Sequence, residues 1–258
     1  MLCATAKNEK QTLFTTKNQS IMKICLKFII LITTTLFISC HTTKDIKFND
    51  IDIIFKETFD DNRNDWDLKE DYADFSVNIS EGNLNIEKLS KNRINNGCLW
   101  LSKQIDNFST AKDFSIIFSA KILSYDDVFN GIDFQWGTIN NPNQKTILYQ
   151  INLGACGEIY LDYFDDKWTY LSRKNLISKI KSNKKICGVK YSNQRYPVKI
   201  NEYNKYEIAQ VGNSCFLYIN NIKVYSEKIN VIKGNYIGIQ QCLKSSWKID
   251  YLVIRQKK

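Results

Sequence analysis

The chain has a single histidine, His41, in 258 residues, and it lies upstream of every segment with a strand pattern. A folded domain without imidazole cannot build a Ser-His-Asp or Cys-His nucleophile system, and it has no histidine to offer a metal. Any chemistry must rest on carboxylates, Tyr, Lys or Cys. C-x-x-C spacing is missing too, which removes the usual zinc signature. No segment carries a helical stripe longer than two turns, so helices do not build the core. Between Asp166 and Glu202 there is no acidic residue, whereas nine basic ones lie between Arg173 and Lys199. That stretch reads as a long basic loop, either a solvated excursion or a functional one.

What is present begins with a signal. From Met22 the chain reads MKICLKFIILITTTLFISC, with Lys23 and Lys27 ahead of an apolar run from Phe28 to Phe37 and then Ser39-Cys40. The run is too short to span a membrane as a permanent helix. Ending on Ser-Cys, the segment resembles a bacterial lipoprotein signal, in which Cys40 would be lipidated and become the new N-terminus. An ordinary cleaved signal or an N-terminal anchor helix is the alternative. Residues 1 to 21 are polar and unpatterned and read as preceding the start at Met22. Residues 1–39 are thus an extension plus signal peptide, 40–52 a polar tether, and 53–258 one domain of comfortable size for an all-β fold. Residues 1–39 hold five lysines and one glutamate, so the formal charge falls from +9 to +5 without them. Such a mild basicity is no nucleic-acid footprint. The expected location is the bacterial cell envelope, lipid-anchored, on a periplasmic or surface face of the outer membrane.

Eight cysteines suggest a disulfide framework until they are sorted. Cys3 and Cys25 fall in the discarded segment and Cys40 at the anchor. Cys98, Cys156, Cys187, Cys215 and Cys242 remain, an odd number, so at least one is unpaired within the monomer. Export permits disulfides, but spacing does not assign them.

Short alternating segments recur from residue 53 onward, among them FSIIFSAKI (114–122), GIDFQWGT (131–138), TILYQINL (146–153), GEIYLDYF (157–164), KWTYL (167–171) and WKIDYLVIR (247–255). Turn chemistry separates them at Glu81-Gly82, Asp165-Asp166, Gly212-Asn213 and Asn220-Asn221. In YEIAQVGNSCFLYINNIKVY (206–225) two such turns define three strands, with Leu217 and Ile219 on one face and Phe216 and Tyr218 on the other. Many short strands without helices predict a β-sandwich or barrel.

The opener FKETFDDNRNDW, the middle run from Asn130 to Leu171, and the close from Tyr203 through IDYLVIR resemble, in order, the concanavalin A-like, laminin G-like jelly-roll domains of bacterial surface lipoproteins. The 3-keto-disaccharide hydrolase domain family shares this layout. The resemblance spans about residues 53 to 256 and implies a two-sheet jelly roll, all-β, whose last strand returns beside the first. It also implies that ligands lie on the concave face. It says little about activity, because this fold hosts lectins, binding modules, glucanases and adhesion domains. The basic loop with Cys187 departs from the short link usual at that point.

Period-two alternation puts Asp133, Gln135, Gln150, Asn152, Glu158, Tyr160 and Asp162 on one face if strands 131–164 pair as successive hairpins. Amides and carboxylates supply the donors and acceptors that sugar hydroxyls need. An ordinary solvent-facing sheet is the plain alternative. Glu158-x-Tyr160-x-Asp162 is similar to the Glu-x-Asp-x-Glu strand of laminarinases and lichenases, whose outer carboxylates are nucleophile and acid/base. Two replacements weaken the match. An i, i+4 pair on a flat strand is about 13 Å apart at the Cα atoms, whereas a retaining pair needs carboxyls about 5 to 5.5 Å apart. Among Trp66, Trp100, Trp136, Trp168 and Trp247, all read as packing residues, Trp168 is the candidate for an exposed sugar platform. The chain calls for no cofactor, with a structural calcium ion as the exception: the resemblance implies one where Glu57, Asp60 and Asp250 could meet, unless Asp60 to Asp65 is simply a turn.

These observations predict a lipid-anchored carbohydrate-binding protein of an envelope or glycan-uptake system. Its partners are a glycan, an acidic polysaccharide if the basic loop borders the polar face, and the membrane through its lipid. The alternatives are a glycoside hydrolase using Glu158 and Asp162, and an envelope interaction protein without a sugar ligand.

Overall fold

A computed structural model describes residues 51–68, 74–89, 97–125, 131–139, 145–154, 158–175, 198–199, 201–242 and 245–258. The segment read as a signal, Cys40 and most of the stretch read as a basic loop lie outside these residues, as do Cys156 and Cys187. Among the described residues, fourteen antiparallel strands form two sheets. The first contains β1 (Ile51–Glu57), β2 (Phe75–Ser80), β3 (Asn83–Lys88), β5 (Phe114–Tyr125), β10 (Tyr203–Val211), β11 (Ser214–Ile219), β12 (Ile222–Lys228) and β14 (Ser245–Lys257). The second runs in the order β4 (Leu99–Gln104), β13 (Tyr236–Gln241), β6 (Gly131–Thr138), β7 (Ile147–Gly154), β8 (Glu158–Asp165) and β9 (Lys167–Asn175). This is the two-sheet jelly-roll sandwich that the sequence predicts.

The long closing strand organises the first sheet. One edge of β14 pairs with β5 along its length, while the other is shared, Ser246–Ile249 with β3 and Leu252–Lys257 with β1. Phe55 faces Ile254, so first and last strands are neighbours as expected, and β1 starts inside the segment read as tether. The turns read from sequence recur as left-handed backbone at Glu81, Gly82, Asp166, Gly212, Asn220 and Asn221. Short polar residues and glycine tolerate that region, and successive positive-φ residues match the twist of a tight hairpin. Cys215, Leu217 and Ile219 of β11 are buried and Phe216 and Tyr218 are half-buried, as the alternation predicts.

The core lies between the sheets. Phe118 of β5 stacks on Phe134 of β6, with ring centroids 4.0 Å apart, and on Tyr206 of β10 at 5.0 Å. Phe114 of β5 meets Trp136 of β6 edge-on. Trp66, Trp136 and Trp247 are buried. Because Phe134 and Trp136 point at the first sheet, the alternate residues of β6 must point away from it. That places the site.

One feature of the opener differs from expectation. Glu57 is only 2% exposed. Its Oε1 accepts the backbone N–H of Thr58 and of Phe59, each at 2.8 Å. Its Oε2 accepts Asn64 Nδ2 at 2.7 Å and Trp66 Nε1 at 2.8 Å. Four donors thus occupy the carboxylate and tie down Phe59, a bulky residue at φ 53°. Asp60 accepts from Thr58 Oγ1, and Asp250 falls at the irregularity of β14 between Ile249 and Tyr251. The structure does not bring Glu57, Asp60 and Asp250 into one oxygen cage, and among the described residues no group of three or more His, Cys, Asp or Glu is placed to hold a metal. The Glu57 oxygens are used as hydrogen-bond acceptors instead.

Candidate functional site

Strand register lays three rows of side chains across the outer face of the second sheet. Trp100, Gln240, Asp133, Asn152 and Tyr160 form one row. Ser102, Gly238, Gln135, Gln150, Asp162 and Tyr170 form the next. The third contains Tyr236, Gly137, Leu148, Phe164 and Trp168. The pairing β6–β7–β8 is the succession of hairpins assumed from sequence, so Asp133, Gln135, Gln150, Asn152, Tyr160 and Asp162 do share a face. Glu158 opens β8, and its side chain lies outside the described residues.

The face is not an ordinary wetted sheet surface. Asp133 is 6% exposed, Asn152 3% and Gln135 0%. Gln135 is a floor residue, its Nε2 donating to Gln150 Oε1 at 2.6 Å and to Gln240 Oε1 at 2.9 Å. Gly238 makes room for it: a Cβ there would lie 2.4 Å from Tyr236 Oη and 3.0 Å from Gln135 Oε1. The Gln135 amide is thereby used up within the protein.

Over this floor lies a cleft of about 320 Å³ lined by Asp133, Gln150, Asn152, Tyr160, Asp162 and Trp168, with Gln240 and the Cys98–Cys242 disulfide at its margin. None of its described lining residues is cationic. Asn152 Nδ2 donates to Asp133 Oδ1 at 2.5 Å, whereas Asn152 Oδ1 is buried and has no partner among the described residues. Burial pushes the Asp133 carboxyl up to about 7, against the bond from Asn152, and the nearby Asp162 adds to the rise. Burial also raises Asp162. Burial, then the charges of Asp133 and Asp162, raise the Tyr160 phenol. A buried acceptor without a donor costs free energy unless a water or another hydroxyl reaches it.

Trp168 also borders a second hollow of about 560 Å³, with Trp100, Leu148, Phe164 and Thr146. There Lys145 is held by Asp165 at 2.5 Å and Asp166 at 2.6 Å. Trp168 is 42% exposed, as its position at a strand end suggests, and Trp100 is 39% exposed. The sequence reading missed Trp100 and Gln240. Alternation in CLWLS and YIGIQQ assigns each a face, but nothing local says that β13 lies between β4 and β6.

The cysteines are now partly sorted. Cys98 and Cys242 join the start of β4 to the end of β13, and Cys215 is free and buried, which pushes its thiol up to about 12.

Fold and face together define a concanavalin A-like jelly-roll β-sandwich with a polar, aromatic-edged cleft on its second sheet. No protein-family model matches the chain, and no curated protein matches it. Among solved structures it is similar to a protein of unknown function with a galectin-like fold from Bacillus subtilis, at TM-score 0.55 and 6% identity over 82% of this chain and 99% of that one. It is also similar to the laminarinase catalytic domain from Thermotoga maritima MSB8, at TM-score 0.50 and 11% identity over 81% of this chain and 100% of that one. At such identities the likeness is one of fold.

Proposed function

We propose that this chain is a carbohydrate-binding protein, exported and held at the cell envelope through a lipid on Cys40, and that the cleft over Asp133, Asn152, Tyr160 and Asp162 is its binding site. The observation that carries the reading is the cleft itself, in which carboxylates, amides and a phenol converge with an exposed indole, Trp168, at the edge. Sugars offer hydroxyl donors to such acceptors and C–H faces to such rings. With two carboxylates and no cation among the described lining residues, the cleft suits a neutral glycan better than an acidic one. The basic run between Arg173 and Lys199 is the basis for the acidic alternative.

A glycan array on the protein, followed by calorimetry, tests the reading. A neutral oligosaccharide should bind with little salt dependence, and Asp162→Asn with Trp168→Ala should abolish it. An acidic polysaccharide whose affinity falls steeply with salt would assign recognition to the basic run instead. No binding to any glycan would refute the proposal and leave an envelope interaction protein.

A second reading, a carboxylate-dependent glycoside hydrolase, is favoured by one observation: Asp133 is held near neutrality beside Asp162, the condition of a general acid. Release of reducing ends by the wild type, lost in Asp133→Asn or Glu158→Gln with binding retained, would establish it. For the anchor, Cys40→Ala should move the protein out of the membrane fraction.

A further inference from the structure

We infer that the hollow beside the cleft is a second compartment of the same site, and that it takes an uncharged aliphatic chain carried directly on the sugar that fills the cleft. The ligand is then an alkylated or acylated sugar rather than a plain oligosaccharide. The inference rests on the cleft being a glycan site and names the class of glycan. The outer face of the second sheet changes character between neighbouring rows. Gln150 of β7 stands opposite Asp162 of β8, and two residues along the same strands Leu148 stands opposite Phe164. Trp168 of β9 continues the second of these rows, and its ring lies 5.0 Å from that of Phe164. Polar and apolar rows are therefore about 7 Å apart, two residues at about 3.3 Å each. Trp168 lines both the cleft of about 320 Å³ and the hollow of about 560 Å³. Compartments that share a wall at this spacing suit one molecule whose apolar part is bonded to the sugar itself.

The lining decides the chemistry. Trp100, Ile139, Leu148, Phe164 and Trp168 give the hollow apolar walls. β4 and β9 are the two edges of the sheet, so Trp100 and Trp168 bring an indole from each edge to one concavity. Both indoles are exposed, whereas Trp66, Trp136 and Trp247 are buried. Exposed aromatic surface gathered into a concavity marks a binding site in a way that scattered surface residues do not. Lys145 borders the hollow and is held between Asp165 and Asp166, so no cation is left over for a carboxylate or phosphate. A cationic group would meet Lys145 itself, so neither sign of charge is favoured. Thr146 is the one further polar side chain among the described lining residues. The volume falls within the roughly 300–1,000 Å³ of pockets that bury small ligands and exceeds that of the polar cleft. The chain is thus a substantial part of the ligand, not a single methyl group.

The test is calorimetry with tryptophan fluorescence on the full chain. The probes are methyl, butyl, hexyl and octyl β-D-glucopyranosides and β-D-galactopyranosides below their micelle concentrations, with 1-hexanol as the sugar-free probe. Each buried methylene should tighten binding about fourfold, so hexyl glycosides should bind at least about tenfold tighter than methyl ones even with partial burial. Emission should move to shorter wavelength with the longer chains, because the two exposed indoles lose water and the three buried ones have little to lose. Trp100→Ala should flatten the dependence on chain length. Asp162→Asn should weaken every member alike and leave that dependence intact. Affinity that does not change with chain length overturns the inference and leaves the glycan reading standing, with the indoles free to stack on further sugar units. 1-Hexanol binding as tightly as the hexyl glycosides refutes the glycan reading and the joint ligand with it. Absence of binding even at octyl length, where the chain alone should be measurable, overturns the inference as well.

Discussion

Replacing Glu57 by glutamine tests the local logic of the opener. The carboxylate is buried and accepts four N–H donors, two on each oxygen. A carboxamide has one acceptor oxygen. Turned toward the Thr58 and Phe59 amides, it keeps those two bonds but sets its own NH₂ against Asn64 Nδ2 and Trp66 Nε1. The buried Trp66 indole is then unsatisfied, at about 1–3 kcal/mol, while the part-buried Asn64 Nδ2 loses a partner that water can replace in part. The expected loss is about 1 to 4 kcal/mol, a large share of the roughly 5–15 kcal/mol that holds a domain together. Urea unfolding followed by far-ultraviolet circular dichroism at pH 7 measures it. Asp61→Asn is the control, since its partner Arg63 is exposed, and it should shift the midpoint little. Calcium should not move the wild-type midpoint if the Glu57 oxygens are occupied as described. A loss below about 1 kcal/mol would mean that the four bonds have replacements or are not formed. A calcium-dependent midpoint would return Glu57 to a metal.

Asp133 should make stability fall as pH rises. Its folded value of about 7 exceeds the ordinary 3.8, so between roughly pH 4 and 7 the folded state holds a proton that the unfolded state has lost, worth about 4 kcal/mol across the window. Unfolding curves at pH 4.5, 6 and 8 should show this trend in the wild type and lose it in Asp133→Asn; a flat wild type refutes the burial argument. Cys98→Ser should lower stability by up to about 5 kcal/mol, because the bond closes a separation of 144 residues, and dithiothreitol should reproduce the shift; an unchanged midpoint in both would show that the two strands need no bond. Trp168→Ala should weaken glycan binding about tenfold with an unchanged unfolding midpoint, in line with the worth of one aromatic stack plus its area; unaltered affinity would remove the indole from the site.

Much of this fold was legible because its information is local. Period-two alternation assigned faces in β6, β7, β8 and β11, and Asn-Asn, Glu-Gly and Asp-Asp marked the tight turns, since side-chain direction and left-handed backbone depend on a residue and its immediate neighbours. Because consecutive hairpins pair in order, the shared face of Asp133, Gln150, Asn152, Tyr160 and Asp162 followed as well. What depends on distant neighbours did not. Trp100 and Gln240 reach the site only because β13 inserts between β4 and β6, a pairing more than a hundred residues apart in the chain that no local pattern encodes. The same insertion brings Cys98 to Cys242, which spacing could not choose among five candidates. Glu57 looked like a cation ligand from its carboxylate company, yet its role was decided by the backbone N–H groups and the Trp66 indole that the turn folds onto it. Burial was the other tertiary decision: sequence places Asp133 on a polar face, but only packing removes it from water, and it is that removal which raises its proton affinity.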